Sequence, residues 1–261
     1  MDKTIGVIPA RYSSTRFEGK VLKPICAKPL VQHVWEAAKK AKLLDDVIIA
    51  CDDERVKKAC LAFGAKAQMT AKEHLSGTDR IAEVVNPLDV KNVVNIQADE
   101  PLIKPAMIDS LVNALIHDKS ISMATLIKRI TNPAELDDSN VVKVVKDKSD
   151  WALYFSRSPI PYVRSKSQGS VFTGKSFDSE QFKLSSAPVF YKHIGLYAYT
   201  KDFLFTFKKL PKSSLEAAEQ LEQLRVLEHG YRIKTIETEF DTIGVDTPAD
   251  LERVEEILKR K

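Results

Sequence analysis

Three cations stand close together near the start of the chain. Arg11, Arg16 and Lys20 fall within ten residues, interleaved with Ser13, Ser14, Thr15 and Gly19. Like charges this close repel one another unless something anionic sits among them. The hydroxyls add neutral donors, and Gly19 permits close backbone approach. Such a loop suits the cradling of phosphates ahead of a helix. It is neither GxxxxGK[ST] nor GxGxxG, so the common nucleotide-loop signatures are absent. A solvated basic loop is an equally weighted reading of the same residues.

An acidic counterpart, Gln97-Ala98-Asp99-Glu100-Pro101, follows the apolar run Val93–Ile96. A carboxylate pair beyond a strand suits a divalent ion bound to substrate phosphates. Magnesium takes one or two carboxylates together with phosphate oxygens and water. A turn carboxylate ahead of Pro101 is the plain alternative. Asp246, in Gly244-Val245-Asp246-Thr247-Pro248, reads first as part of an ordinary helix entry, with Thr247 as N-cap. Ser76-Gly77-Thr78-Asp79-Arg80 reads as a helix entry ahead of a donor-rich ligand loop. Arg157 has the ordinary reading of a surface ion-pair partner, and His193 that of a structural histidine. Glu222 and Gln223 read as a solvated helix face. Asp52 and Asp53 end a strand or hold a ribose.

These residues need elements to carry them. Thr4–Pro9, Asp46–Ala50, Ala65–Thr70 and Val93–Ile96 read as strands. Between them, Leu30–Ala41, Glu54–Phe63 and a segment beginning at Asp79 read as helices, and Pro105–His117 as a further one. Strand–helix alternation over the first ~120 residues predicts a mainly parallel sheet. Ligands of such sheets lie beyond the carboxyl ends of the strands. The polar exits PARYSSTRFEGK, CDDE and QADEP would open onto one edge. Later strands, at 122–126, 141–146, 152–156, 193–199 and 232–237, have few helices between them and predict an antiparallel extension. Ser214–Glu228 reads as one helix and Pro248–Lys259 as another. The Ser-rich stretch 164–192 reads as a surface excursion.

Composition sets the outer limits. The chain has 261 residues, of which 44% are hydrophobic and 29% charged, with a net charge of +4. That surplus is too small to argue for nucleic-acid binding but suits a polyanionic small ligand. Cys26, Cys51 and Cys60 form no CxxC and no spaced ligand set, which disfavours a disulfide framework or zinc. The start, MDKTIGVIPARY, is too short an apolar run for a signal peptide, and no apolar stretch approaches ~18 residues. A cytoplasmic protein without membrane partners is expected.

Eight motifs occur in one order: IPARYSSTRFEGK, CDDERV, SGTDRIAEVV, NIQADEP, ALYFSRSPIP, HIGLYAY, LEQLRVLEHG and GVDTPADLERV. Together they resemble the 3-deoxy-manno-octulosonate (Kdo) cytidylyltransferases over nearly the whole chain. The resemblance implies an α/β nucleotide-diphospho-sugar transferase fold, Rossmann-like, with a mixed, mainly parallel sheet, helices on both faces and a smaller antiparallel extension. It implies one domain, with a nucleotide part at about 1–120 and a sugar and dimerisation part at about 121–261. It implies a homodimer, Mg2+, and the reaction of CTP with Kdo to CMP-Kdo and pyrophosphate. Carried over by motif, Arg11, Arg16 and Lys20 hold phosphates. Ser76, Gly77, Thr78 and Arg80 serve the cytosine side, and Gln97 and Asp99 serve nucleotide and metal. Asp99 and Asp246 are the metal carboxylates, and Arg11, Lys20, Asp99 and Asp246 form the catalytic group. Arg157, His193, Tyr197, Glu222 and Gln223 take the sugar acid. The family more often has QGDEP where QADEP stands, and a Pro where Glu18 stands. Another sugar acid (8-amino-Kdo or sialic acid) and a catalytically inactive nucleotide-binding regulator are the alternatives.

Overall fold

The apolar runs become strands and the amphipathic stretches become helices, as their periods require. In chain order the computed structural model has β1 (Thr4–Ala10), a 3-10 turn (Lys20–Leu22), β2 (Pro24–Ile25), β3 (Lys28–Pro29), α1 (Leu30–Ala38), β4 (Asp46–Cys51) and α2 (Glu54–Ala62). There follow β5 (Lys66–Met69), α3 (Gly77–Val85), β6 (Asn92–Asn95), α4 (Pro105–His117), β7 (Met123–Arg129), α5 (Ala134–Asp137), β8 (Lys143–Lys146) and β9 (Ala152–Ser156). The chain ends with β10 (Tyr191–Thr200), α6 (Lys201–Lys209), α7 (Ser214–Glu219), α8 (Gln223–Glu228), β11 (Lys234–Glu237) and α9 (Pro248–Lys259). The described residues are 2–13, 17–74, 76–163 and 189–260. Most of the Ser-rich stretch (164–188) therefore lies outside them, as does Arg16.

The chain divides into two compact units. The first comprises Met1–Ala124, Gly195–Lys209 and Phe240–Lys261; the second comprises Thr125–Ile194 and Leu210–Glu239. In the first, β1 pairs in parallel with β4 on one side and β6 on the other, and β4 pairs in parallel with β5. Flanked on both sides, β1 is apolar after Thr4, and Ile5, Val7 and Ile8 are fully buried. Only the last residues of β10 run antiparallel to β6. The fold is thus mixed α/β with a mostly parallel sheet. The second unit is antiparallel: β8 pairs with β9 and with the start of β10. Phe155, Val144, Leu126 and Ile127 fill its interior.

Two segments depart from their sequence patterns. Ser214–Glu228 is not one helix but two, because Gln220 between α7 and α8 takes a left-handed backbone (φ 54). The leucine spacing spans the break and hides it. In α6, KDFLFTFKK, phenylalanines alternate as in a strand, yet Phe203, Leu204 and Phe207 are the buried residues and share a helical face. Among the described residues no helix is long and apolar enough to cross a membrane.

Candidate active site

The basic loop closes on itself through Gly19. Its backbone is left-handed (φ 64) and its N–H donates to the Tyr12 carbonyl at 2.9 Å. A β-carbon at this position would lie 3.2 Å from the Tyr12 ring. Glycine is therefore required twice, for the backbone angle and for the close approach. The Arg55 guanidinium covers the same ring, 3.5 Å from its centre, and is itself held bidentately by Asp53. From this clasp the chain enters the 3-10 turn that sets Lys20.

The acidic loop arrives by the parallel ladder. Ile96 N–H donates to the Val7 carbonyl at 3.0 Å, extending the β1–β6 pairing, and Gln97–Asp99 follow. The Asp99 carbonyl then accepts Val245 N–H at 2.9 Å, which draws in the segment before α9. That segment is fixed by a capping box. Thr247 caps α9, and Asp250 Oδ2 accepts the N–H groups of Asp246 and Thr247 at 3.1 and 2.9 Å. Lys20 Nζ consequently meets two carboxylates, Asp99 Oδ2 at 2.5 Å and Asp246 Oδ1 at 2.9 Å.

These groups line a cavity of about 330 Å³. Arg11, Ser13 and Lys20 enter from the basic loop, Gln97, Ala98 and Asp99 from the acidic one, and Gly77 and Asp246 complete it. Burial works to lower the Lys20 pKa, but Asp99 and Asp246 outweigh it and hold the ammonium above its ordinary value. Two carboxylates converging on one cation form a donor set that also fits magnesium. Among the described residues no group of three or more His, Cys, Asp or Glu side chains surrounds a common point. The remaining ligands of an ion here would come from phosphates and water, as magnesium prefers.

The Ser76–Arg80 stretch is a helix entry that also borders the cavity. Ser76 Oγ caps α3 by accepting Asp79 N–H at 3.1 Å. Gly77 presses against Pro9, where a β-carbon would come within 3.3 Å of the proline ring. The start of α3, with its positive dipole end, is thereby brought to the exit of β1. Thr78 and Arg80 turn inward and are buried. Arg80 donates to Thr70 Oγ1, to the Ala71 carbonyl at 3.2 Å and to Asp52 Oδ2 at 3.1 Å. Burial lowers the Arg80 pKa, Asp52 opposes that, and Arg11 adds to it.

In the second unit, Arg157 is tied down by its Nε to the Glu219 carbonyl at 2.8 Å and its Nη1 to the Ser139 carbonyl at 2.9 Å. The Glu219 carboxylate accepts Arg157 N–H at 2.9 Å and Ser156 Oγ–H at 2.6 Å. His193 Nε2 lies 2.9 Å from Thr125 Oγ1, and its ring meets Phe155 edge-on. Burial pushes its pKa down to about 3, so the imidazole is neutral. Glu222 stands at the N-cap position of α8, and the next residue, Gln223, is buried with its Nε2 lacking a partner among the described residues. Tyr197 belongs to the first unit, paired with Asn95 of β6 and stacked on Tyr199.

Comparison with known proteins decides the family. A cytidylyltransferase family model matches residues 5–236. The 3-deoxy-manno-octulosonate cytidylyltransferase of Geotalea uraniireducens is 52% identical over 99% of this chain and 100% of its own. The enzyme of the same name from Solibacter usitatus is 51% identical over 98% of this chain and 95% of its own. This chain belongs to the 3-deoxy-manno-octulosonate cytidylyltransferase family. It is a nucleotidyltransferase. A solved CMP:2-keto-3-deoxy-manno-octonic acid synthetase, complexed with CTP, superposes with a TM-score of 0.87 at 41% identity, covering 99% of both chains.

The two departures from the family's motifs can now be placed. The Ala98 methyl is 5% exposed and forms part of the cavity wall. Glu18 is exposed at the clasp, where its charge acts on Arg55. Reading from sequence passed over Tyr12, Arg55, Glu219 and Asp250 as site-builders. Asp250 had a visible signal, the Thr-x-x-Asp spacing of a capping box. Glu219 had none, because only the break at Gln220 turns its carbonyl and carboxylate to Arg157.

Proposed function

We propose that this cytidylyltransferase joins CTP to Kdo, giving CMP-Kdo and pyrophosphate for lipopolysaccharide assembly. The observation that carries the reading is the meeting of Lys20, Asp99 and Asp246 at a cavity walled by Arg11, Ser13 and the start of α3. A triphosphate needs cations and N–H donors, and its ions need carboxylates; this cavity has each. The anomeric hydroxyl of the sugar acid attacks the α-phosphorus. The new P–O bond forms as the α–β anhydride bond breaks, pyrophosphate leaves, and the hydroxyl proton passes to solvent.

Two anions must meet for this to occur, so the protein's task is charge neutralisation and alignment. Arg11, Arg16 and Lys20 grip the phosphates and stabilise the charge that develops on pyrophosphate. Ser76, Gly77, Thr78 and Arg80 serve the nucleoside end, with Gln97 beside the nucleotide. Arg157, His193, Tyr197, Glu222 and Gln223 take the sugar acid, His193 as a neutral imidazole. Asp99 and Asp246 would hold Mg2+, which when bound supplies charge neutralisation at the phosphates. Residues to about 120 form the nucleotide part and later ones the sugar and dimerisation part. The exposure of Leu153 (61%) and Tyr162 (67%) supports a homodimer. Three free cysteines, two of them buried, support a reducing cytoplasm.

The test is pyrophosphate release from CTP across Kdo, 8-amino-Kdo and sialate, with and without magnesium, with the product mass recorded. Release with Kdo, abolished by chelation and by Asp99→Asn or Asp246→Asn in a folded protein, is the expected result. Release with sialate or 8-amino-Kdo alone overturns the substrate, and no release with any of them overturns the activity.

A further inference from the structure

Asp52 lies immediately beyond β4 and is 8% exposed. Its two carboxylate oxygens accept from two distant parts of the chain. Oδ1 takes the Tyr12 N–H at 3.1 Å, and Oδ2 takes Arg80 Nη2 at 3.1 Å. The first donor is the backbone of the basic loop, one residue after Arg11. The second is the fully buried guanidinium of α3, whose first residue, Gly77, lines the cavity. A carboxylate that merely ended a strand would bond within its own turn, as the neighbouring Asp53 does in capping α2 through Arg55 N–H. Asp52 instead spans forty residues back and twenty-eight forward.

The remaining contacts make this link rigid. Arg80 Nη1 is fixed by Thr70 Oγ1 and the Ala71 carbonyl, and Thr70 is fastened to the Cys51 carbonyl through both its N–H (2.9 Å) and its hydroxyl (3.0 Å). Arg11 and Arg80 repel across the same region. Asp52 is the anion bonded to Arg80, so it offsets that repulsion.

We propose that Asp52 is a positioning residue for the nucleotide: one carboxylate holds the basic loop and the start of α3 in register around the cavity. The role rests on the reading that this cavity takes CTP. It acts on the nucleotide and not on the sugar acid, because both bonded elements belong to the cavity wall. Asp52→Asn keeps the shape and an acceptor for Tyr12 N–H while removing the charge that holds Arg80.

The experiment measures CTP binding calorimetrically without sugar, then KM for each substrate and kcat, in wild type, Asp52→Asn, Arg80→Gln and the double variant. In Asp52→Asn, the Kd and KM for CTP should rise about tenfold, the loss of one charge-assisted hydrogen bond. The sugar-acid KM and kcat should stay within about twofold. In the double variant, the second substitution should add less than it costs alone. Wild-type CTP affinity in folded Asp52→Asn overturns the proposal. So does an equal rise in both KM values together with a fall in kcat and in melting temperature, which marks a purely structural residue. Failure of the wild type to bind CTP overturns the functional reading itself and is told apart by that control.

Discussion

Lys20→Met is the perturbation that most directly interrogates the site. It keeps the length of the side chain and removes the charge that Asp99 and Asp246 share at 2.5 and 2.9 Å. The lysine is 13% exposed, whereas the carboxylates are 28% and 38% exposed and remain in reach of water. The stability cost is therefore discounted from the several kcal/mol of a fully buried pair to about 1–2 kcal/mol. The kinetic cost is larger. A preorganised cation facing departing phosphate contributes about 3–4 kcal/mol to the transition state, so kcat/KM should fall roughly 10²–10³-fold.

Metal affinity should move the other way. Relieved of the internal ammonium, Asp99 and Asp246 should bind Mn2+ in the substrate-free protein several-fold more tightly, which paramagnetic resonance reads without turnover. The proton linkage gives a further check. Burial acts to lower the Lys20 pKa, but the carboxylates raise it above its ordinary value. A raised folded-state pKa contributes stability below the unfolded value near 10.5 and loses it only as pH rises through the folded value. The stability difference between wild type and Lys20→Met should thus be constant from about pH 7 to 9. A kcat/KM within tenfold of wild type, or unchanged Mn2+ affinity, would refute the shared-cation account.

Three further outcomes are expected. Gly19→Ala should cost about 1–2 kcal/mol in denaturant unfolding and also lower kcat/KM, because the left-handed backbone and the Tyr12 ring both oppose a β-carbon and Lys20 follows directly; unchanged stability would discount the clasp. In the β2–β3 turn, Cys26 and Ala27 both have positive φ (47 and 64), so Ala27→Gly should raise stability by up to about 1 kcal/mol in thermal melts and leave turnover unaltered. His193 is held down to about 3 by burial. Stability should therefore decline as pH falls from about 6.5 toward 3, by up to about 1.4 kcal/mol per unit. His193→Gln should flatten that part of the melting-temperature profile, and a slope that persists would assign it to other groups.

The local pattern of residues settled a good deal. Parallel neighbours on both sides leave β1 and β4 little contact with water, so their sequences are mostly apolar and legible without a structure. The limits of α4 and α9 were equally plain, since Pro at the first turn and Thr247 before it act within a few residues. Charge alone left the basic loop open between a phosphate cradle and a solvated surface loop. What no local pattern contains is convergence. Lys20 and Asp246 are 226 residues apart, and they meet because Val245 bonds back to Asp99 and a capping box steadies the turn. Arg80 reads only as part of a helix entry, and the partners that hold it inside, Asp52, Thr70 and Ala71, come from elsewhere in the chain. The break at Gln220, which turns Glu219 toward Arg157, is likewise silent in the leucine spacing around it. Periodicity reports which face of a segment is dry. Which distant charge waits on the other side depends on where the chain returns, and only the tertiary fold decides that.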